Sequence, residues 1–320
     1  MKKSKLVSIL ELSSIALSLF VIVFNFLQLD AFEASNSSSL LSLFSLTDQA
    51  FLRSLPILFF LLAVYLFSFL LQQAKLPEHQ AISFWVYPLL GLSLAYCPFK
   101  EIESSIALLL IVFSLFYLFQ LHLQQQVKKP LFTSALLISS ASLLYAPLIW
   151  FFPLPILSLL WIRPFKLKEH LLVLVAYSLP FFYFYGISYL VDSKIPSIDF
   201  AFSPAWDLVF TISTPQLIGI LFTLLLGLLA FLRTTQLSAN LVVRERAQLR
   251  ILFIFYGLAM LHFAFTASQP LAMGIIVLCS AAFYIWLFKQ FQKQWVLLAL
   301  ILFLQLYNLL ALLDVFSAFG

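Results

Sequence analysis

An all-α, polytopic membrane protein of about eleven transmembrane helices is the fold this sequence predicts, on three observations. First, 63% of the 320 residues are hydrophobic, 37 of them Phe, and only 10% are charged. That is more apolar surface than one soluble core of this size can hide, so the surplus must face lipid. Second, apolar runs of about 20 residues, the length that crosses a ~30 Å hydrocarbon layer as helix, recur along the chain, without the ~10-residue alternation of a β-barrel. Third, the basic residues fall overwhelmingly on alternate connections between those runs.

The breaks between runs place the spans at about 8–28, 55–73, 82–98, 104–123, 131–145, 147–162, 171–191, 210–232, 251–267, 270–287 and 295–313. The first follows the basic start MKKSK and has no small-x-small cleavage site before Asn25, so it is read as a retained span. Residues 29–54 form an outer loop. Within it Ser38, Ser42, Ser45 and Gln49 recur at helical spacing opposite Leu40, Leu43, Phe44 and Phe51, the pattern of an interfacial amphipathic helix. The spans 131–145 and 147–162 are short and joined only by Tyr145, Ala146 and Pro147. They are either two spans or a re-entrant hairpin buried in protein, which would leave nine spans plus the hairpin. The pair 251–267 and 270–287, parted only by Ser268, Gln269 and Pro270, has the same ambiguity. Gly219, Thr223 and Gly227, four apart, make a small-residue packing stripe on the eighth span, and residues 233–250 form a basic cytoplasmic loop. No internal repeat or soluble domain interrupts this pattern, so residues 1–320 are read as a single integral-membrane domain.

Alternating the connections from one side to the other puts fifteen Lys and Arg on the side of the N-terminus. Only Arg53, Lys100 and Lys194 fall on the opposite side. Cytoplasmic segments hold the excess of cations, so the N-terminus is expected inside and the C-terminus outside. The basic face accounts for the pI near 9 and suits anionic lipid, at about 1 kcal/mol per well-placed cation, without invoking nucleic acid. Cys97 and Cys279 are too far apart for a local metal or redox motif and read as packing residues. The only clear titratable group within a span is His262. That is a thin set for a transporter or proton relay, and a hydrogen-bonded packing histidine is the commoner case.

Chemistry is sought in the outer loops. Asp30 and Glu33 follow the first span and are the candidate catalytic bases; Asp48, Lys100, Glu101, Asp199, Trp206 and Asp207 are candidate substrate-binding residues. A carboxylate at the outer mouth beside an interfacial helix is what a transferase using a polyprenyl-phosphate sugar needs, a base near the acceptor and a way in for the lipid tail. Aromatic rings near carboxylates suit sugar stacking. Both features also arise wherever acids sit in water and aromatic residues line an interface. No metal-ligand spacing accompanies the carboxylates, and the sequence leaves any cofactor open.

The most distinctive segment runs from Tyr145 to Glu169. Arg163 ends a helix where a cation meets the negative dipole end, Pro164 forbids continuation, Phe165 follows, and Glu169 opens the next helix where an anion is favoured. This Arg-Pro-Phe-x-x-Lys-Glu turn, preceded by the Tyr145-x-Pro147 hairpin, resembles an uncharacterised family of bacterial multi-span inner-membrane proteins. In that family an aromatic residue usually follows the Glu, and here His170 stands there. The resemblance implies a bacterial inner membrane and no particular chemistry. More remotely, an outer acidic loop, an interfacial helix and paired short spans ending in Pro and Arg resemble the GT-C-type glycosyltransferases, although Asp30 has no adjacent acid. That likeness implies a divergent GT-C-like protein handling polyprenyl-phosphate-linked sugars in envelope biogenesis. The alternative is a non-catalytic membrane subunit or scaffold of an envelope complex with a membrane-protein partner; a transporter ranks behind both.

Overall fold

The structure is a computed structural model that describes residues 49–73, 102–121, 127–162, 165–190, 225, 228–229, 231–232, 235–236, 243–266 and 275. Among these residues every regular element is helical: α1 (Gln49–Gln73), α2 (Ile102–Phe119), α3 (Lys128–Leu144), a 3₁₀ segment (Ala146–Phe151), α4 (Pro153–Ile162), α5 (Leu167–Leu190) and α6 (Val243–Thr266). By length and composition α2, α5 and α6 can each cross a membrane. The total of eleven spans is not tested, because the expected spans 8–28, 82–98, 270–287 and 295–313, and most of 210–232, lie outside the described residues.

Two expected limits shift for local reasons. Residues 49–54, assigned to the outer loop, are the first turns of α1, which runs on through Pro56 to Gln73. α6 begins at Val243, eight residues before the expected span, because VRERAQLR consists mainly of strong helix formers and charge does not interrupt a helix that reaches into water. The end of the basic stretch 233–250 is therefore helical rather than an irregular loop.

The 131–162 region is one helix and one broken return. α3 is regular to Leu144; Tyr145 then adopts an extended conformation (φ −141°, ψ 95°), with its N–H bonded to the Ala141 carbonyl at 2.9 Å and its own carbonyl accepting from Leu148 N–H at 3.0 Å. The chain continues as 3₁₀ because Pro153 and Pro155 cannot donate N–H groups to the carbonyls of Ile149 and Phe151, and the Phe152 N–H bonds the nearer Ile149 carbonyl at 3.0 Å instead. Pro153 then occupies the first position of α4, where its missing N–H costs nothing. The six 3₁₀ residues and ten α-helical residues reach about 27 Å, close to the ~27 Å of the 18-residue α2. The return is thus long enough to retrace a span.

Packing fixes direction. α2 sits between α1 and α3, and α3 packs on α5 along an extended seam. Ser139 and Tyr177, which bond each other, stand at matching depth, each about three turns into its helix, so α3 and α5 start level at one end of the bundle. α6 runs antiparallel to the return: Arg250 meets Trp161, Phe255 and His262 meet Phe151, and Phe265 stacks on Trp150 with ring centroids 4.8 Å apart. The starts of α3, α5 and α6 and the end of α4 therefore share one end. That end carries Lys128, Lys129, Lys166, Lys168, Arg244, Arg246 and Arg250, with Glu169 and Glu245 among them, while the hairpin occupies the other. Ser114, late in α2, bonds Ser134, early in α3, so the two helices run antiparallel and acidic Glu103, which opens α2, belongs to the hairpin end.

Candidate functional site

Two places concentrate polar chemistry, one at each end. At the hairpin end, a closed set of hydrogen bonds ties α3 to α5. Ser139 Oγ donates to the Tyr177 carbonyl (2.5 Å), Tyr177 O–H donates to Ser142 Oγ (3.3 Å), and Ser142 Oγ donates to the Ser139 carbonyl (2.8 Å). Pro180 removes the ladder N–H that the Ala176 carbonyl would accept, and Ser139 donates to the next carbonyl along, that of Tyr177, which ties α3 to α5 at the turn the proline weakens. Phe152 packs on the Tyr177 ring at 4.2 Å between centroids, which brings the hairpin against the same seam.

Across the hairpin stands His262, fully buried in α6. Its ring bonds the backbone of Pro147, and since proline has no N–H the acceptor is the Pro147 carbonyl and the imidazole N–H is the donor. Phe151 packs against the imidazole at 5.5 Å and Phe255 at 5.4 Å against Phe151. This arrangement makes His262 a clamp on the hairpin, in keeping with the packing histidine expected of it.

At the basic end, Arg250 donates to the Trp161 carbonyl at 3.4 Å, supplying a cation and a donor to the last turn of α4. His170 Nδ1–H donates to the Lys166 carbonyl at 3.0 Å, and Phe165, 63% exposed, packs its ring on His170 at 4.4 Å. Glu169 occupies the first turn of α5 as expected, yet it is 8% exposed and its Oε2 is buried without a hydrogen-bond partner. Its placement serves the helix dipole, and its burial in the α3–α5 seam is a property that periodicity did not reveal.

Of the sequence candidates, the structure brings Pro147 together with His262, places Tyr145 at the bend just before it, and brings Phe165 together with His170 beside Glu169. Arg163 and Pro164 lie outside the described residues, as do the outer-loop candidates Asp30, Glu33, Asp48, Lys100, Glu101, Asp199, Trp206 and Asp207. Sequence reasoning did not single out Ser114, Ser134, Ser139, Ser142 or Tyr177. Their signal was present as hydroxyls in otherwise apolar stretches, each of which needs a partner once buried. No protein family, curated protein or solved structure matches the chain.

Proposed function

We propose that the chain is an integral protein of a bacterial inner membrane, its basic end in the cytoplasm against anionic lipid, acting as a non-catalytic subunit or scaffold in envelope assembly. One observation carries this reading. Four polar side chains toward the hairpin end are engaged with one another and with backbone carbonyls: Ser139, Ser142 and Tyr177 in one set, His262 with Pro147 in another. Hydroxyls and an imidazole used this way hold helices together, as polar groups between membrane helices do. The exposed apolar surface of α5, with Leu171, Leu174, Val175, Phe182 and Ile187, supplies the lipid- or partner-facing side that such a subunit needs.

Affinity purification from native membranes after crosslinking tests the reading. A stoichiometric membrane-protein partner is expected, and a chain that emerges alone contradicts the scaffold role.

The enzyme reading rests on a separate observation, the carboxylates Asp30 and Glu33 beside an amphipathic pattern in the outer loop. There a divergent GT-C-like protein would transfer sugar from a polyprenyl-phosphate donor, with either acid as base. Labelled lipid-linked sugars, offered to the purified chain and to Asp30→Asn and Glu33→Gln, separate the two. Transfer abolished by one change favours the enzyme; no transfer by the unaltered chain favours the scaffold.

A further inference from the structure

We propose that the last two turns of α5, residues 183–190, are an anchor seated in the phospholipid headgroup layer of the outer leaflet, where they fix the depth of the bundle. The inference deepens, and rests on, the reading of the chain as an inner-membrane protein whose hairpin end faces outward. Depth is read from two hydrogen bonds between helices. The Ser114–Ser134 hydroxyl pair levels α2 with α3, and the Ser139 bond to the Tyr177 carbonyl levels α3 with α5. Counted from those bonds at one helical rise per residue, Glu103, Tyr145 and Tyr183 stand at one height. Lys129 and Lys168 lie about 22–24 Å below it, which matches a ~30 Å hydrocarbon layer once lysine side chains reach outward to water. At that height α3 has ended, and α5 continues past it for about 10 Å. The headgroup region adds about 5–8 Å on each side of the hydrocarbon, so this projection is long enough to cross it.

The chemistry of the projection selects its surroundings. Six of its eight residues are exposed, and only Phe184 and Ser188, four apart on one face, are partly covered. A partner helix covers one stripe, whereas exposure around most of the circumference calls for a medium that surrounds the helix. Bulk water does not suit Ile187 and Leu190, 60% and 81% exposed. Hydrocarbon does not suit the hydroxyls of Tyr183 and Tyr189, 62% and 77% exposed, nor the carbonyls of the last turn, where α5 ends at Leu190. The headgroup boundary suits both: rings lie against acyl chains, and tyrosine O–H groups donate to phosphate or ester oxygens. The stretch carries no charged side chain, so its contact with lipid is indifferent to headgroup charge, unlike that of the basic end.

Spin labels on the purified full-length chain, with Cys97 and Cys279 replaced by Ser, test the placement. Labels at Val175→Cys, Tyr183→Cys, Ile187→Cys and Leu190→Cys report collision with oxygen, which concentrates in hydrocarbon, against collision with a water-soluble nickel chelate. The probes are vesicles of phosphatidylcholine alone and of phosphatidylcholine with one quarter phosphatidylglycerol. The oxygen-to-nickel ratio is expected to be highest at Val175, to fall severalfold by Tyr183 and to be lowest at Leu190, with the same profile in both vesicles. Tyr185→Leu together with Tyr189→Leu should let the end of α5 sink and raise the ratio at Leu190. Tyr185→Trp together with Tyr189→Trp keeps the interfacial preference and should leave it unchanged. Low collision with both reagents at Tyr183, Ile187 and Leu190 would mean that protein covers the projection, and a ratio at Leu190 equal to that at Val175 would mean that it lies in hydrocarbon; either overturns the anchor. A profile that appears only with phosphatidylglycerol overturns it as well. Free access of nickel to Val175 itself would show that α5 does not cross the bilayer, and the membrane reading would fall with the anchor.

Discussion

α2 and α5 are both long and apolar enough to cross a membrane, yet 56% of the spanning window of α2 is buried in the bundle against 17% for α5. Hydropathy does not decide burial: α6 is slightly less apolar than α5, yet it is as deeply buried as α2. Small and hydroxylated residues on the contact faces decide it. α2 buries Ser104, Ser105, Ala107, Leu108, Ile111, Val112, Ser114 and Leu115, so it presents contact surface on two sides and packs on both α1 and α3. α5 buries only Glu169, Val173 and Ala176, three or four residues apart, a single narrow stripe that meets α3. Between membrane helices, where lipid is as apolar as leucine, close approach and interhelical hydrogen bonds decide which helix becomes central. α2 is a pillar and α5 an edge.

The largest expected effect comes from cavity formation in the pillar. Leu108→Ala, at a fully buried site on α2, should cost about 2–5 kcal/mol, while Leu174→Ala on the 48%-exposed side of α5 should change stability by less than about 0.5 kcal/mol. Reversible unfolding in mixed micelles compares the pair, and similar losses would erase the distinction between the helices. Next in size is overpacking of the edge seam: Ala176→Leu should cost about 1–3 kcal/mol, with Val175→Leu, one residue away and 54% exposed, near neutral by the same assay.

The hydrogen bonds are expected to matter less. His262→Phe removes the donor to the Pro147 carbonyl and should cost about 0.6–1.7 kcal/mol in the same unfolding measurement, seen also as faster proteolysis near the hairpin. The smallest effect belongs to Ser114→Ala, which breaks the 3.1 Å hydroxyl pair with Ser134 between α2 and α3 and should cost about 0.6 kcal/mol.

How far the sequence reveals this molecule differs between its elements. α5 was legible almost to its limits, since the run after Glu169 is unbroken and its punctuation is strong. The start of α6 was not, because a charge-based limit marks where a helix leaves lipid, not where its backbone hydrogen bonds stop. The 3₁₀ return after Tyr145 follows from Pro153 and Pro155, whose missing N–H groups act on carbonyls several residues upstream. Its partner is beyond local pattern altogether: His262 lies more than a hundred residues from Pro147, and only the fold brings them together. The same holds for Glu169. Its place at a helix start is written in the local sequence, whereas its burial depends on α3 packing beside it.

Pillar and edge belong to one bundle in which α3, α5 and α6 all begin at the basic end, the end we propose to lie in the cytoplasm. Single-cysteine versions of the full-length chain, with Cys97 and Cys279 replaced by Ser, test it directly. A membrane-impermeant maleimide should label Lys129→Cys and Lys168→Cys in inside-out vesicles and leave them unlabelled in intact spheroplasts, with Tyr189→Cys, 77% exposed near the far end of α5, showing the reverse. Labelling of Lys129→Cys and Lys168→Cys from opposite sides, or of both from outside, would contradict the account.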